Sequence, residues 1–162
     1  MNEIFDSGSE KSSTAHARAV AALETGVMRW QDLVQIYDEA VGARYGLNAK
    51  ERQALSVLAQ GARTAGEIAQ LVGLKPSSIT ALLDRLEQRG FLGRQPDPED
   101  RRRTNVVASD KTLAMIAECY APLAEEGRKL WSQYSDAELT LFAELMARII
   151  KVQEDALRRL EG

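Results

Sequence analysis

The side chains best suited to holding a polyanion are gathered in one stretch of this chain. Lys75, Ser77, Ser78 and Thr80 come first. Lysine brings a compact charge to a phosphate, and small hydroxyl side chains allow close backbone approach while hydrogen-bonding to a phosphate or a base edge. Arg85 follows, and then Arg101, Arg102 and Arg103 close the segment DPEDRRR. That segment is too polar to bury and opens with a turn-forming Asp-Pro pair. Guanidinium groups carried to the tip of such a loop suit a narrow minor groove, whose negative potential attracts them. Taken alone, arginines in a charged loop are more often a solvated surface, and Ser77, Ser78 and Thr80 could simply open a helix. The elements that position them decide between the readings.

Those elements are legible from spacing. Ile68, Ala69, Leu71 and Val72 place an apolar stripe on one short helix, and Ile79, Leu82, Leu83 and Leu86 repeat at i, i+3, i+4 and i+7 on the next. Thr64 and Glu67 form a capping box that opens the first helix. Gly73 supplies the turn, Pro76 fits the first turn of the second helix, and Gly90 stands where a left-handed cap would end it. Two short strand patterns then flank the loop from Asp97 to Arg103. The order is a helix-turn-helix followed by a winged hairpin, over residues 48–110. In that arrangement the second helix enters a major groove with its N-terminal residues directed at bases and phosphates. The expected DNA-binding set is therefore Lys75, Ser77, Ser78, Thr80, Arg85, Arg101, Arg102 and Arg103.

Helical patterns flank this unit. Residues 1–14 are rich in Ser, Gly, Asp and Glu, have no period, and read as a disordered tail. Residues 15–47 carry Val20, Leu23, Val27, Trp30, Val34 and Tyr37 at helical spacing, with Gly26 a candidate break. Asn48 with Glu51 makes a second capping box, opening a helix that supports the DNA-reading pair from behind. Across 111–162, Ser109 is the N-cap of a helix in which Pro122 predicts a kink. Ser135 and Glu138 form a third capping box before a helix with Leu139, Phe142, Met146, Ile149, Ala156 and Leu160. The fold class is mainly α with a small β-hairpin wing: a winged helix-turn-helix plus long flanking dimerisation helices. The flanking helices carry more apolar surface than a three-helix core can cover, and a homodimer resolves this. A two-fold dimer also sets two recognition helices about one DNA turn, ~34 Å, apart.

Composition narrows the function. The formal net charge of −3 is unevenly spread. Of 21 basic and 24 acidic residues, seven and five lie between Lys75 and Arg103, leaving fourteen and nineteen elsewhere. The basic excess sits where the groove contacts are expected, and distribution matters more than the sum. No apolar run approaches the roughly 18 residues of a membrane span, and no secretory signal opens the chain, so a cytoplasmic protein with no membrane partner is expected. A single cysteine, Cys119, excludes an internal disulfide; with no adjacent cation to lower its pKa, it reads as buried and structural. Nucleophile elbow, P-loop, HExxH, CxxC and dinucleotide signatures are missing, and one histidine gives little material for acid-base catalysis. No enzyme, catalytic residue, cofactor or metal site is expected, and turn chemistry accounts for the Asp97-Glu99-Asp100 cluster.

From Gly46 to about Thr112 the chain resembles the MarR family of bacterial winged-helix transcription regulators. The resemblance is carried by Gly46-Leu47-Asn48, Glu67-Ile68-Ala69, Leu82-Leu83-Asp84-Arg85-Leu86-Glu87, Arg89-Gly90-Phe91-Leu92 and Asp97-Pro98-Glu99-Asp100-Arg101-Arg102. The chain departs from the family pattern at Lys75, Ala81 and Ala108. The resemblance implies a homodimer on double-stranded DNA, at a pseudo-palindromic operator, acting as a repressor released by a small-molecule effector. It implies that Arg102 enters the minor groove, with Asp84 steadying it and Asp100 giving the wing further support. It also implies an effector pocket between the DNA-reading lobe and the dimer helices, for which Trp30 and Tyr37 are candidate wall residues. The alternative is a winged helix used for protein-protein contact without operator binding, against which Arg101, Arg102 and Arg103 argue.

Overall fold

The computed structural model describes residues 7–161 except Glu99 and Arg101. Six helices and three short strands follow in the order α1 (Ser7–Tyr45), α2 (Ala49–Ala59), β1 (Arg63–Thr64), α3 (Ala65–Val72), α4 (Pro76–Gln88), β2 (Leu92–Pro96), β3 (Thr104–Ala108), α5 (Asp110–Trp131) and α6 (Asp136–Glu161). They fall into two compact units, Met1–Thr112 and Leu113–Gly162.

In the first unit the helix-turn-helix is α3 and α4. Thr64 Oγ1 accepts the Glu67 N–H while the Glu67 carboxylate accepts the Thr64 N–H at 2.7 Å, so α3 opens on the expected capping box. Gly73 ends α3 at φ 67°, a conformation that a Cβ would strain. Ile68, Val72, Ile79, Leu82, Leu83 and Leu86 are buried together with Leu55 and Leu58 of α2. Leu71, which its spacing assigns to the same stripe, is instead 63% exposed. A helix of eight residues turns only one narrow face to its neighbours, and Ile68, Ala69 and Val72 already fill it.

The wing is an antiparallel hairpin in which Leu92 faces Ala108 and Pro96 faces Thr104. A third strand, β1, pairs with β3 through Arg63↔Val106 and Thr64↔Asn105, giving the sheet order β1-β3-β2. Two residues are too few to show alternation, which is why spacing predicts only the hairpin. The strand ties the start of α3 to the root of the wing.

Helix α1 begins at Ser7. Residues 7–14, expected to belong to a disordered tail, continue the helix instead, because extending a helix costs far less than nucleating one. Residues 1–6 lie outside the described residues. Gly26 does not interrupt α1, and nothing approaches within 4 Å of the place its Cβ would take. Gly42 is different: a Cβ there would meet the Leu47 carbonyl oxygen at 2.6 Å and the Arg52 guanidinium. The glycine that weakens the helix intrinsically is the one that lets α2 and the α1–α2 turn close onto it.

Three helix ends in this unit are capped by cations from elsewhere. Arg89 donates to the carbonyls of Tyr45 at 2.8 Å and Gly46 at 3.1 Å at the end of α1. Lys50 donates to Val72 at the end of α3, and Lys111 to Arg89 at the end of α4. Each satisfies carbonyls the helix leaves open and puts positive charge at the negative end of the dipole. Arg89 and Lys111 also lie over the buried Phe91 ring, 5.1 and 4.1 Å from its centroid.

In the second unit, Pro122 stays inside a continuous α5. Trp131 meets Phe142 with ring centroids 5.6 Å apart, and the Ser135–Glu138 capping box opens α6. Leu123, Leu130, Phe142, Leu145, Ile149, Ile150, Val152 and Leu160 remain exposed, as do Leu23, Leu33 and Ile36 on α1.

Candidate nucleic-acid interface

Helix α4 starts with Lys75 at the N-cap in an extended conformation, making no side-chain cap, and Pro76 in the first turn. Lys75, Ser77, Ser78 and Thr80 are all exposed, while Ile79, Leu82, Leu83 and Leu86 are buried. Thr80 turns its hydroxyl back to the Pro76 carbonyl at 3.2 Å. Lys75, Ser77 and Ser78 make no side-chain hydrogen bond among the described residues, so their polar side-chain atoms face solvent beside the Ser77 N–H; Pro76 has no N–H, and that of Ser78 donates to the Lys75 carbonyl at 3.0 Å. That is a donor-rich, positively polarised end suited to phosphate.

Arg85 is held more closely than its position on α4 foretells. Its Nε lies 3.5 Å from Glu51 Oε1, although the side chain remains 54% exposed. Glu51, buried at 5%, also accepts the Asn48 N–H and stands 3.8 Å from Arg89. Arg94 on β2 reaches back to α4 and pairs with Asp84 at 2.7 Å and with Glu87. The partner the structure gives Asp84 is thus Arg94, at the root of the wing, in place of the Arg102 that the resemblance implies.

The tip of the wing is closed by its own acidic residues. Asp97 Oδ1 accepts the Asp100 N–H at 3.0 Å, and Asp97 Oδ2 accepts from the side-chain amide of Asn105 at 2.8 Å. Asp100 Oδ1 in turn accepts the Arg102 N–H at 3.0 Å, the Asp100 carbonyl accepts the Arg103 N–H, and the Arg103 carbonyl accepts the Asp97 N–H. The turn thereby displays Arg102 and Arg103, both exposed. Arg101 lies outside the described residues. Asp100 supports the wing through the backbone of Arg102. Asp97 shares that work, and it was visible in the sequence only as the start of a turn.

Thr64 holds the Glu67 carboxyl below its usual range, first through the Thr64 N–H and then through its hydroxyl, with Arg103 and Arg63 adding smaller attractions. Ser135 lowers Glu138 in the same way, first through its hydroxyl and then through its N–H.

A groove of about 530 Å³ runs between α1 and α2, lined by Trp30, Gln31, Val34, Gln35, Asp38, Glu39, Ala49, Arg52 and Gln53. Trp30 is part of its wall. Tyr37 is not among its lining residues, although it follows Trp30 at i+7: the wall runs from Trp30 through Val34 to Asp38, and Tyr37 falls just past its edge. No group of three His, Cys, Asp or Glu side chains able to hold a metal occurs among the described residues.

A helix pair with a donor-rich second helix, followed by a hairpin that displays arginine, defines a winged helix-turn-helix protein of the DNA-binding class. Comparison with known proteins agrees. Residues 55–104 match the model of the MarR family. The chain is 32% identical over 127 residues to an HTH-type transcriptional regulator of Bacillus subtilis, YcgE, covering 78% of this chain and 82% of that one. Among solved structures, a MarR family protein from Bacillus stearothermophilus superposes with a TM-score of 0.62 at 22% identity, over 85% of this chain and 97% of the other. A mutant of MepR from S. aureus bound to an oligodeoxyribonucleotide superposes with a TM-score of 0.53 at 18% identity, over 82% and 97%. The chain belongs to the MarR family and, with it, to the DNA-binding transcriptional regulators.

Proposed function

We propose that the protein is a homodimeric repressor that binds a pseudo-palindromic operator, with α4 in the major groove and the wing in the minor groove, and that a small molecule releases it. The observation that carries DNA reading is the pairing of an exposed α4 start, Lys75-Pro76-Ser77-Ser78, with a wing turn that presents Arg102 and Arg103. The oligodeoxyribonucleotide carried by the MepR mutant, a protein of the same fold, supports the same use. Dimerisation is supported by apolar residues on α1, α5 and α6 that the single chain leaves exposed, far beyond scattered surface leucines. The α1–α2 groove is the proposed effector site. Trp30 offers a stacking face, and Asp38 and Glu39 outnumber the one cation, Arg52, so a planar molecule that is neutral or carries a positive group fits its chemistry.

The test is a titration of the purified protein against duplexes selected in vitro from a random pool, at two salt concentrations. Specific binding that weakens steeply as salt rises is expected, because phosphate contacts release counterions. Arg102→Ala is expected to weaken binding by at least ~1 kcal/mol, the loss of one charge-assisted contact, with the dimer intact by sedimentation. Equal affinity of mutant and parent at matched salt would remove the wing from the mechanism. If no duplex is bound even at low salt, a protein-contact role takes its place.

A further inference from the structure

We infer that Arg89, with the buried Glu51 beneath it, is a positioning residue that fixes the recognition helix against the end of α1 and so sets the half-site spacing the dimer reads. The inference rests on the function proposed above. Arg89 is the C-cap residue of α4, yet its guanidinium is spent on α1: one terminal nitrogen donates to the Tyr45 carbonyl at 2.8 Å and the other to the Gly46 carbonyl at 3.1 Å. These are the last carbonyl of a 39-residue helix and the one that follows it, where a cation is doubly favoured, by hydrogen bonding and by the dipole. Two donors fixed in one plane on two successive carbonyls define a direction as well as a distance, which a single ammonium cannot do.

Glu51 makes the clamp three-sided. Its carboxylate is tied to the Asn48 N–H at the start of α2 and lies 3.8 Å from Arg89 and 3.5 Å from Arg85, one turn earlier on α4. A buried carboxylate facing two guanidinium groups on the same helix face resists rotation of α4 about its axis, since either rotation lengthens one of the two pairs. The neighbouring residue on α2, Arg52, packs over Gly42 of α1. The end of α1, the start of α2 and the last turns of α4 are thereby held in one polar junction. Ser77 and Ser78, the groove-facing residues, lie at the opposite end of α4 from this junction. A small tilt at Arg89 therefore moves them through the full length of the helix.

The experiment compares affinities for the selected operator and for versions with one base pair inserted or removed between half-sites. Parent, Arg89→Ala, Arg89→Lys and Glu51→Gln are measured alongside Arg102→Ala. The parent is expected to prefer its own spacing steeply. Arg89→Ala is expected to lower that preference by roughly tenfold, the scale of losing a bidentate charged contact, with Arg89→Lys restoring only part of it. Arg102→Ala weakens all three duplexes alike. Should Arg89→Ala fail to fold, as judged by circular dichroism, the Lys and Gln variants carry the same comparison. Unchanged spacing preference in every folded variant overturns the clamp while leaving DNA binding intact. A parent that binds no duplex overturns the proposed function instead, and a parent indifferent to spacing overturns the clamp.

Discussion

Replacing Asp97 by alanine tests whether the wing is a preorganised reader or a loose charged loop. The carboxylate holds two hydrogen bonds that differ in environment. One serves the exposed Asp100 N–H at 3.0 Å, and a net ~0.5–1.5 kcal/mol is expected from it. The other serves the amide of Asn105, which is only 8% exposed and sits on the central strand between Thr64 and Gln95. Stripping the acceptor from a buried amide costs about 1–3 kcal/mol. The two together predict a loss of about 1.5–4.5 kcal/mol, which for a chain of this size lowers the unfolding midpoint by roughly 3–18 °C. Because Asp97 positions Asp100, and Asp100 holds the Arg102 N–H, operator affinity falls as well. The combination Asp97→Ala with Arg102→Ala is then expected to weaken binding by less than the sum of the single effects, since both act through one guanidinium. Thermal unfolding and duplex titration supply the two readouts. A mutant with parental midpoint and parental affinity, or strict additivity in the double mutant, would refute the reasoning.

Two further outcomes follow from the first unit and the capping boxes. Gly42→Ala and Gly26→Ala lie on the same helix and are expected to have opposite signs in urea unfolding. Alanine at 42 drives a methyl into the Leu47 carbonyl and costs about 1–3 kcal/mol, whereas at 26 it meets open space and stabilises by about 0.4–1 kcal/mol. Like signs would refute the close approach. Glu67 and Glu138 have carboxyl groups lowered from 4.5 by Thr64 and Ser135. Since the folded value lies below the unfolded one, their contribution is present above about pH 4.5 and disappears as pH falls through the folded value. Thr64→Ala combined with Ser135→Ala is expected to flatten the acid side of the stability profile, and an unchanged slope would count against these boxes.

What the sequence disclosed was mostly what is decided within a few residues. All three capping boxes, at Asn48, Thr64 and Ser135, join partners three positions apart, and the structure contains each. The turn at Gly73, the proline opening α4 and the hairpin around Asp97 are equally local. What stayed hidden needed contacts across the fold. β1 exists only because β3 offers it an edge, and Leu71 is exposed only because its neighbours already fill the available face. Tyr37 resembles Trp30 in type and lies two turns along the same side of α1, and only the position of α2 determines which of the two lines the groove.

The basic residues show the limit most plainly, because six arginines and one lysine lie between Lys75 and Arg103 and their spacing does not say which of them pair within the chain. In the structure Arg85 and Arg89 face Glu51, while Arg94 is bound to Asp84 and Glu87. Their charge is largely answered by carboxylates of the same chain. Lys75, Arg102 and Arg103 remain exposed at the two ends of the reading surface. The local excess of basic residues therefore overstates the charge offered to DNA and understates the charge used to aim it. A guanidinium that locks β2 to α4 contributes nothing to phosphate neutralisation directly, yet it determines where the wing arginines arrive. A protein whose formal charge is negative can read a polyanion on these terms, provided that a few cations are held in the right places and the others hold them there.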